Sequence, residues 1–360
     1  MAIDDNGIAI TTTHAAAAPD TVAARKQRWC DFLDMSRPPG HLFLIQYDPG
    51  VPARPQPWPE NKRERIEWAW RQYERQMERL EWLHDDAIPY LDPYTGTEIF
   101  AAAFGCPVQR PADDMPFARP LISEASQVSG VRVPDLGVRP LADLFDIADE
   151  LRRRGGPEAL MKLVDIQSPM DIATLIWDKN RVYVALREAP EAVVELAARV
   201  RELLVTFLDE WFRRYGDEFI AHYPAYYMPK GITLSEDEVG AVSGDMFVKY
   251  YLPELAELSQ RYGGIGMHCC ANARHQWSNF GLIPNLRLLN LVQPNEVLRQ
   301  AWSFFADRVP QMHSWSGDGP AWTWLAQYPP QARMVMEVPA QTRDEALECA
   351  QRLWKACGRA

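Results

Sequence analysis

No stretch of this 360-residue chain reaches the roughly 18 to 20 consecutive apolar residues that a membrane-crossing helix needs. Its first residues also lack the charged start and apolar run of a secretory signal. Long lysine or arginine runs are missing as well. The net charge is -11, and the one basic cluster, Lys62-Arg63-Glu64-Arg65, is interrupted by an acid. Phosphate neutralisation needs a concentrated basic surface, so nucleic-acid binding is not expected. Cysteines are few, six in all, and show no scaffold spacing, which points to free thiols in a reducing compartment. A cytoplasmic enzyme is the expectation. No glycine-rich loop follows the first strand, which removes the phosphate cradle of a dinucleotide-binding sheet.

What is present is apolar and aromatic. A hydrophobic content of 47% with 13 tryptophans is ample for a large core. The aromatic count is compatible with a homodimer, although it does not define an interface. Residues 1–22, with His14 beside four alanines, lack an apolar period and read as a flexible arm without chemistry. From 23 to 360 the pattern reads as one domain. Strands are predicted at His41–Asp48, within 160–169, at Phe219–Tyr223, Gly231–Asp237, Tyr262–Cys270, Leu286–Val292, Gln311–Trp315 and Ala332–Val338. Helices alternate with them, the clearest opening at Pro190 with Val193, Leu196, Val200, Leu203, Leu204, Phe207 and Trp211 at helical spacing. The proline-rich segment 107–140 is too long for an ordinary connection and reads as a lid-like cap over the active face.

The stretch Tyr262-Gly263-Gly264-Ile265-Gly266-Met267-His268-Cys269-Cys270 is an apolar strand that ends in chemistry. Alternation places Gly266, His268 and Cys270 on one face. Imidazole and thiolate together suit zinc, which needs three protein ligands at a catalytic centre. The plainer reading is a buried histidine beside small apolar cysteines. Polar residues gather where strands end: Asp48, Asp165, His222, Asp237, His268, Cys270, Gln293, His313 and Glu337. That asymmetry, with strand and helix alternating, fits an α/β fold of the distorted (β/α)8 TIM-barrel type, whose pocket is built from strand C-termini.

The segments Asp165-Ile166-Gln167-Ser168-Pro169-Met170-Asp171, Ile232-Thr233-Leu234-Ser235-Glu236-Asp237-Glu238, Tyr251-Leu252-Pro253-Glu254-Leu255 and His268-x-Cys270 carry a resemblance. Over most of residues 40–355 the chain resembles the uroporphyrinogen decarboxylase superfamily. That superfamily implies the distorted barrel. The arginine-bearing segment that true decarboxylases carry after the first strand is replaced here by Leu44-Ile45-Gln46-Tyr47-Asp48-Pro49-Gly50. The chain therefore looks closer to the corrinoid-linked methyltransferases, the methylcobamide:coenzyme M and O-demethylase branch. The resemblance implies zinc on His268, Cys270 and a distant third ligand, a corrinoid (cobalamin) on a partner protein or free, and a small-molecule substrate. At the place of the distant cysteine stands Glu337, with Cys349 ranked second.

On this reading Asp165, Asp237 and His313 are the candidate catalytic groups, and Gln46, His222, Tyr223 and Gln293 the substrate-binding ones. Asp165 and Asp237 could equally cap helices, and His313 could be a hydrogen-bonded wall residue. His275 is expected at an exposed helix start. The expected function is zinc-dependent methyl transfer with a small oxygen or thiol compound. The rivals are a metal-free decarboxylase-like lyase on a polycarboxylate and a non-catalytic tetrapyrrole or corrinoid binder.

Overall fold

The computed structural model describes residues 20–111, 114–314 and 317–359. Its first element is a helix, Val22–Leu33, whose N-cap Thr21 accepts from the Ala24 amide at 3.2 Å. Most of the expected arm lies outside the described residues. Its last three do not belong to an arm, because Asp20 pairs with Arg25 and Arg28, each at 2.8 Å, and Val22 is already helical. No helix among the described residues is long and apolar enough to cross a membrane.

Two arcs of strands are joined mostly by helices. In the first, His41–Gln46 runs parallel to Met334–Pro339, with Leu44 opposite Glu337. Single bridges continue from Met334 to Gln311 and from Gln311 to Leu289. Leu286–Leu291, Ile265–Cys269 and Ile232–Ser235 then pair in parallel, and Ser235 bridges Gln167. The second arc is Tyr90–Leu91, Leu160–Lys162 and Phe219–Ile220 in parallel, closed by antiparallel Tyr227–Met228. The strand expected over 311–315 shrinks to the bridge at Gln311. The backbone at 312–314 is irregular, and Trp315 lies outside the described residues.

The free edge of His41–Gln46 is satisfied by side chains. Asp86 accepts from the Phe43 amide at 2.9 Å and Asp85 from the Ile45 amide at 3.0 Å. Both carboxylates are buried, and an unpaired buried charge is expensive. Arg25 therefore pairs Asp85 at 2.7 Å. Asp86 takes Arg28 at 2.6 Å and two Arg359 nitrogens at 3.0 Å.

The helix Pro190–Tyr215 buries its whole predicted stripe, and Gly216, at φ 90°, ends it in a conformation only glycine adopts freely. Each of these buried side chains contributes roughly 1.5–3 kcal/mol relative to exposure, so this face is core. The helix expected over 245–262 is interrupted. It passes through a π turn, Phe247–Tyr251, before Leu252–Tyr262. Pro253 has no N–H for the carbonyl four residues back, which explains the local loosening. Gly266 is required for packing, since a Cβ there would stand 1.9 Å from the Tyr226 hydroxyl.

The segment 107–140 is less irregular than its composition suggests. It contains the hairpin Val108–Gln109 with Phe117–Ala118 and a 3-10 turn at Ala125–Gly130. It is fastened to helices: the amides of Leu121 and Ile122 donate to the Ile176 carbonyl, and Arg199 donates to the carbonyls of Val128 and Val131.

Candidate metal centre

The parallel register sets Ser235 opposite His268, so the residues just beyond both strands meet. There Asp237, His268 and Cys270 form a group whose ligand atoms all lie within 4.8 Å of one another. Two backbone contacts lock it. The Glu236 amide donates to the His268 carbonyl at 2.9 Å, and the Cys270 amide donates to Asp237 Oδ1 at 2.6 Å.

His268 is oriented by a residue that sequence reasoning missed. Asn290, directly opposite in the next strand, turns its amide nitrogen to the Met312 carbonyl. A backbone carbonyl only accepts, so the Asn290 oxygen must face the imidazole. His268 Nδ1, 2.6 Å away, is then the donor, and Nε2 keeps its lone pair. This is how metal-binding imidazoles are held. The signal in the sequence was one asparagine in the run Leu286-Arg287-Leu288-Leu289-Asn290-Leu291.

Behind the group lies a second missed feature, a buried pair of acids. The Asp171 carboxylate receives the amides of Asp237 at 2.7 Å and Glu238 at 3.0 Å. It sits on the helix Pro169–Ile176, capped by Ser168, whose hydroxyl accepts from the Asp171 amide at 3.0 Å. Glu236 beside it is fully buried, and neither of its oxygens has a hydrogen-bond partner. Burial and the Asp171 charge push Glu236 well above the usual carboxylate range, so Glu236 carries the proton of the pair.

Most of the other predicted residues converge on the same rim. His222 Nε2 stands 3.2 Å from the Ser235 hydroxyl and 3.4 Å from Asp165 Oδ1. Burial, and then His268, lowers His222 to about 3, so it is neutral. Asp165 is raised by burial to about 6, which suits proton transfer near neutrality. Tyr223, half exposed, sets its ring edge-on to His268 with centroids 5.0 Å apart. Gln293 donates to the Cys270 and Ala271 carbonyls at 3.0 and 2.8 Å, bracing the backbone. Cys270 is exposed at the rim, yet partial burial of its thiol and the Asp237 carboxylate push it up to about 12. His275, exposed as expected, faces the Val242 carbonyl.

Three expectations need correction. Glu337 is not part of the group: its Oε1 accepts from Gln46 Nε2 at 2.8 Å, and Asp237 takes the third place. Cys349 is buried in the helix Arg343–Ala356 and does not join the group either. His313 has both ring nitrogens occupied. Nδ1 accepts from the Leu291 amide at 3.0 Å, so Nε2 donates to Gln311 Oε1 at 2.9 Å. With burial lowering it to about 3, it is a neutral wall residue. Gln46 and Glu337 instead border a cavity of about 750 Å³ that also draws Tyr47, Arg75, Arg79 and Arg343 into its wall, but not His268, Cys270 or Asp237. Arginines absent after the first strand are thus supplied by the helix Lys62–Arg79 and the start of the last helix.

No family model and no curated protein matches this sequence. Among solved structures, a homocysteine methyltransferase from Escherichia coli in its apo form overlaps 65% of this chain and 95% of its own at 14% identity. Its TM-score of 0.23 carries no argument. A methyltransferase from Methanosarcina mazei is similar over 93% of this chain and 98% of its own, with 12% identity and a TM-score of 0.63, so the two chains share a fold.

Proposed function

We propose that this protein is a metal-dependent methyltransferase, moving a methyl group between a small oxygen or thiol compound and a corrinoid that is free or carried by a partner protein. The two arcs are read as the wall of one distorted (β/α)8 barrel of the uroporphyrinogen decarboxylase superfamily. The shared fold with the Methanosarcina methyltransferase supports this assignment. The single observation that carries the functional reading is the Asp237–His268–Cys270 group, with Asn290 presenting the free nitrogen of His268.

The donor set fits zinc. Bond lengths of about 2.0–2.3 Å put two tetrahedral ligands roughly 3.3–3.8 Å apart, so a group already within 4.8 Å closes by about 1 Å. Three protein ligands leave one coordination position for substrate. A bound zinc supplies Lewis acidity to the substrate's oxygen or sulfur. The chain's own residues do the rest. Asn290 fixes the imidazole, Gln293 and Asp171 hold the two loops, and Asp165, braced against His222, holds or releases a proton at the substrate heteroatom.

Elemental analysis of the purified chain, paired with methyl transfer from methylcobalamin to a small thiol, tests the proposal. We expect about one zinc per chain, lost together with activity in His268→Ala and Cys270→Ala and retained in Glu337→Ala. A chain that binds no zinc when reconstituted overturns it. Release of carbon dioxide from a polycarboxylate would favour the lyase reading, which draws support from Arg75, Arg79 and Arg343 at the large cavity. Corrinoid binding without turnover would leave a non-catalytic binder.

A further inference from the structure

A smaller cavity of about 170 Å³ lies between the 57–59 turn, residues 95–98, the hairpin of segment 107–140 and the start of the helix Arg139–Gly155. Five of the side chains lining it carry a buried polar atom with no hydrogen-bond partner: Trp58 Nε1, Arg65 Nε, Thr95 Oγ1, Glu98 Oε2 and Asp143 Oδ2. Leaving one such atom dry costs about 1–3 kcal/mol, so five around one cavity call for an occupant.

Arg65 is only 5% exposed, and its terminal nitrogens are already committed to the carbonyls of Pro57, Pro93 and Tyr94. Its Nε–H is what remains. Asp143 gives Oδ1 to Lys62 at 3.3 Å, while Oδ2 stands 3.7 Å from Arg139 without hydrogen-bond geometry. The Glu98 carboxylate occupies space that only glycine leaves open, since a Cβ on Gly96 would lie 2.1 Å from Glu98 Oε2.

The unmet groups fall into two complementary sets. Trp58, Arg65 and Thr95 offer hydrogens, and Glu98 and Asp143 offer carboxylate oxygens. An anion alone would leave the two acids unanswered, and a cation alone would leave the three donors. We propose that this cavity is a binding site for a small zwitterion, an amino acid, its carboxylate received by Trp58, Arg65 and Thr95 and its ammonium by Glu98 and Asp143. The volume suits roughly five to ten non-hydrogen atoms, judged against an engineered cavity of about 150 Å³ that holds benzene. Burial also raises Glu98 to about 7, so an arriving ammonium displaces a proton near neutrality. The site does not depend on the methyltransferase reading.

Calorimetric titration of the full chain with glycine and L-serine, and with acetate and ethylamine as the two halves, tests it. An amino acid should bind with a millimolar or tighter Kd and at least about tenfold more tightly than either half. Thr95→Val and Glu98→Gln should each weaken binding about tenfold, as expected for losing a charge-assisted hydrogen bond, with the melting temperature held. Heats measured at pH 7 in buffers of different ionisation enthalpy should report proton release that Glu98→Gln abolishes. The proposal fails if neither amino acid binds at millimolar concentrations, leaving water as the occupant. It fails equally if binding survives both substitutions, or if acetate binds as tightly as glycine.

Discussion

His268 and His313 are both buried, and both stand near the ends of neighbouring β segments. They differ in how many ring nitrogens the fold consumes. Asn290 takes one nitrogen of His268 and leaves the other beside Cys270 and Asp237. At His313 the Leu291 amide and Gln311 take both. Residue type and burial are alike, so neither distinguishes a ligand from a wall residue. The deciding quantity is the lone pair left over after second-layer hydrogen bonds have been made.

The sharpest way to break this comparison is to remove each ring in turn. His268→Ala should abolish zinc binding, lowering affinity by more than about a thousandfold, while the metal-free protein keeps its melting temperature. His313→Ala should do the reverse. It orphans the Leu291 amide and the Gln311 oxygen and costs roughly 2–4 kcal/mol of stability by denaturant titration, while zinc is retained. If both variants lose metal, or both lose only stability, the distinction is wrong.

A subtler substitution probes the lone pair itself. Asn290→Ala should weaken zinc binding by about 10–100-fold with both ligands' side chains intact, and Asn290→Asp, which keeps an acceptor, should recover part of it. Competition with a chelator reads the difference.

Acidity sharpens the comparison further. The folded state holds His313 near pKa 3, below the ordinary 6.5 of an unfolded chain. Between those values the unfolded chain binds more protons, so stability is complete above about pH 6.5 and is lost as pH falls. His313→Gln should flatten the decline between pH 7 and 5 by roughly 1–2 kcal/mol. His41 and His222, lowered by burial to about 4 and 3, keep the remaining slope. The smallest effect belongs to Glu337→Gln, which should leave zinc content unchanged and stability within about 0.5 kcal/mol.

Local pattern made much of this legible. Alternation in Ile265–Cys269 put His268 and Cys270 together, and the gathering of polar residues at strand ends identified the rim that Asp165, His222 and Asp237 share. The third member of the group was not legible, because it depends on register. Pairing Ser235 with His268 brings Asp237 level with Cys270, whereas the pairing of Leu44 with Glu337 turns that acid toward Gln46. Register is fixed by contacts between residues far apart in sequence, and no single segment encodes it. Asn290 and Asp171 were hidden for the same reason, each taking its meaning from a partner 22 or 66 residues away. The strand expected at 311–315 failed because apolar and aromatic residues there pack without a backbone ladder.

Asp86 has a consequence for the chain's two extremes. One carboxylate holds Arg28 from the opening helix, the amide of Phe43, and Arg359 at the far end. Head and tail are moored to the same post, so slack introduced at either one is felt at the other, and at the first strand of the wall between them.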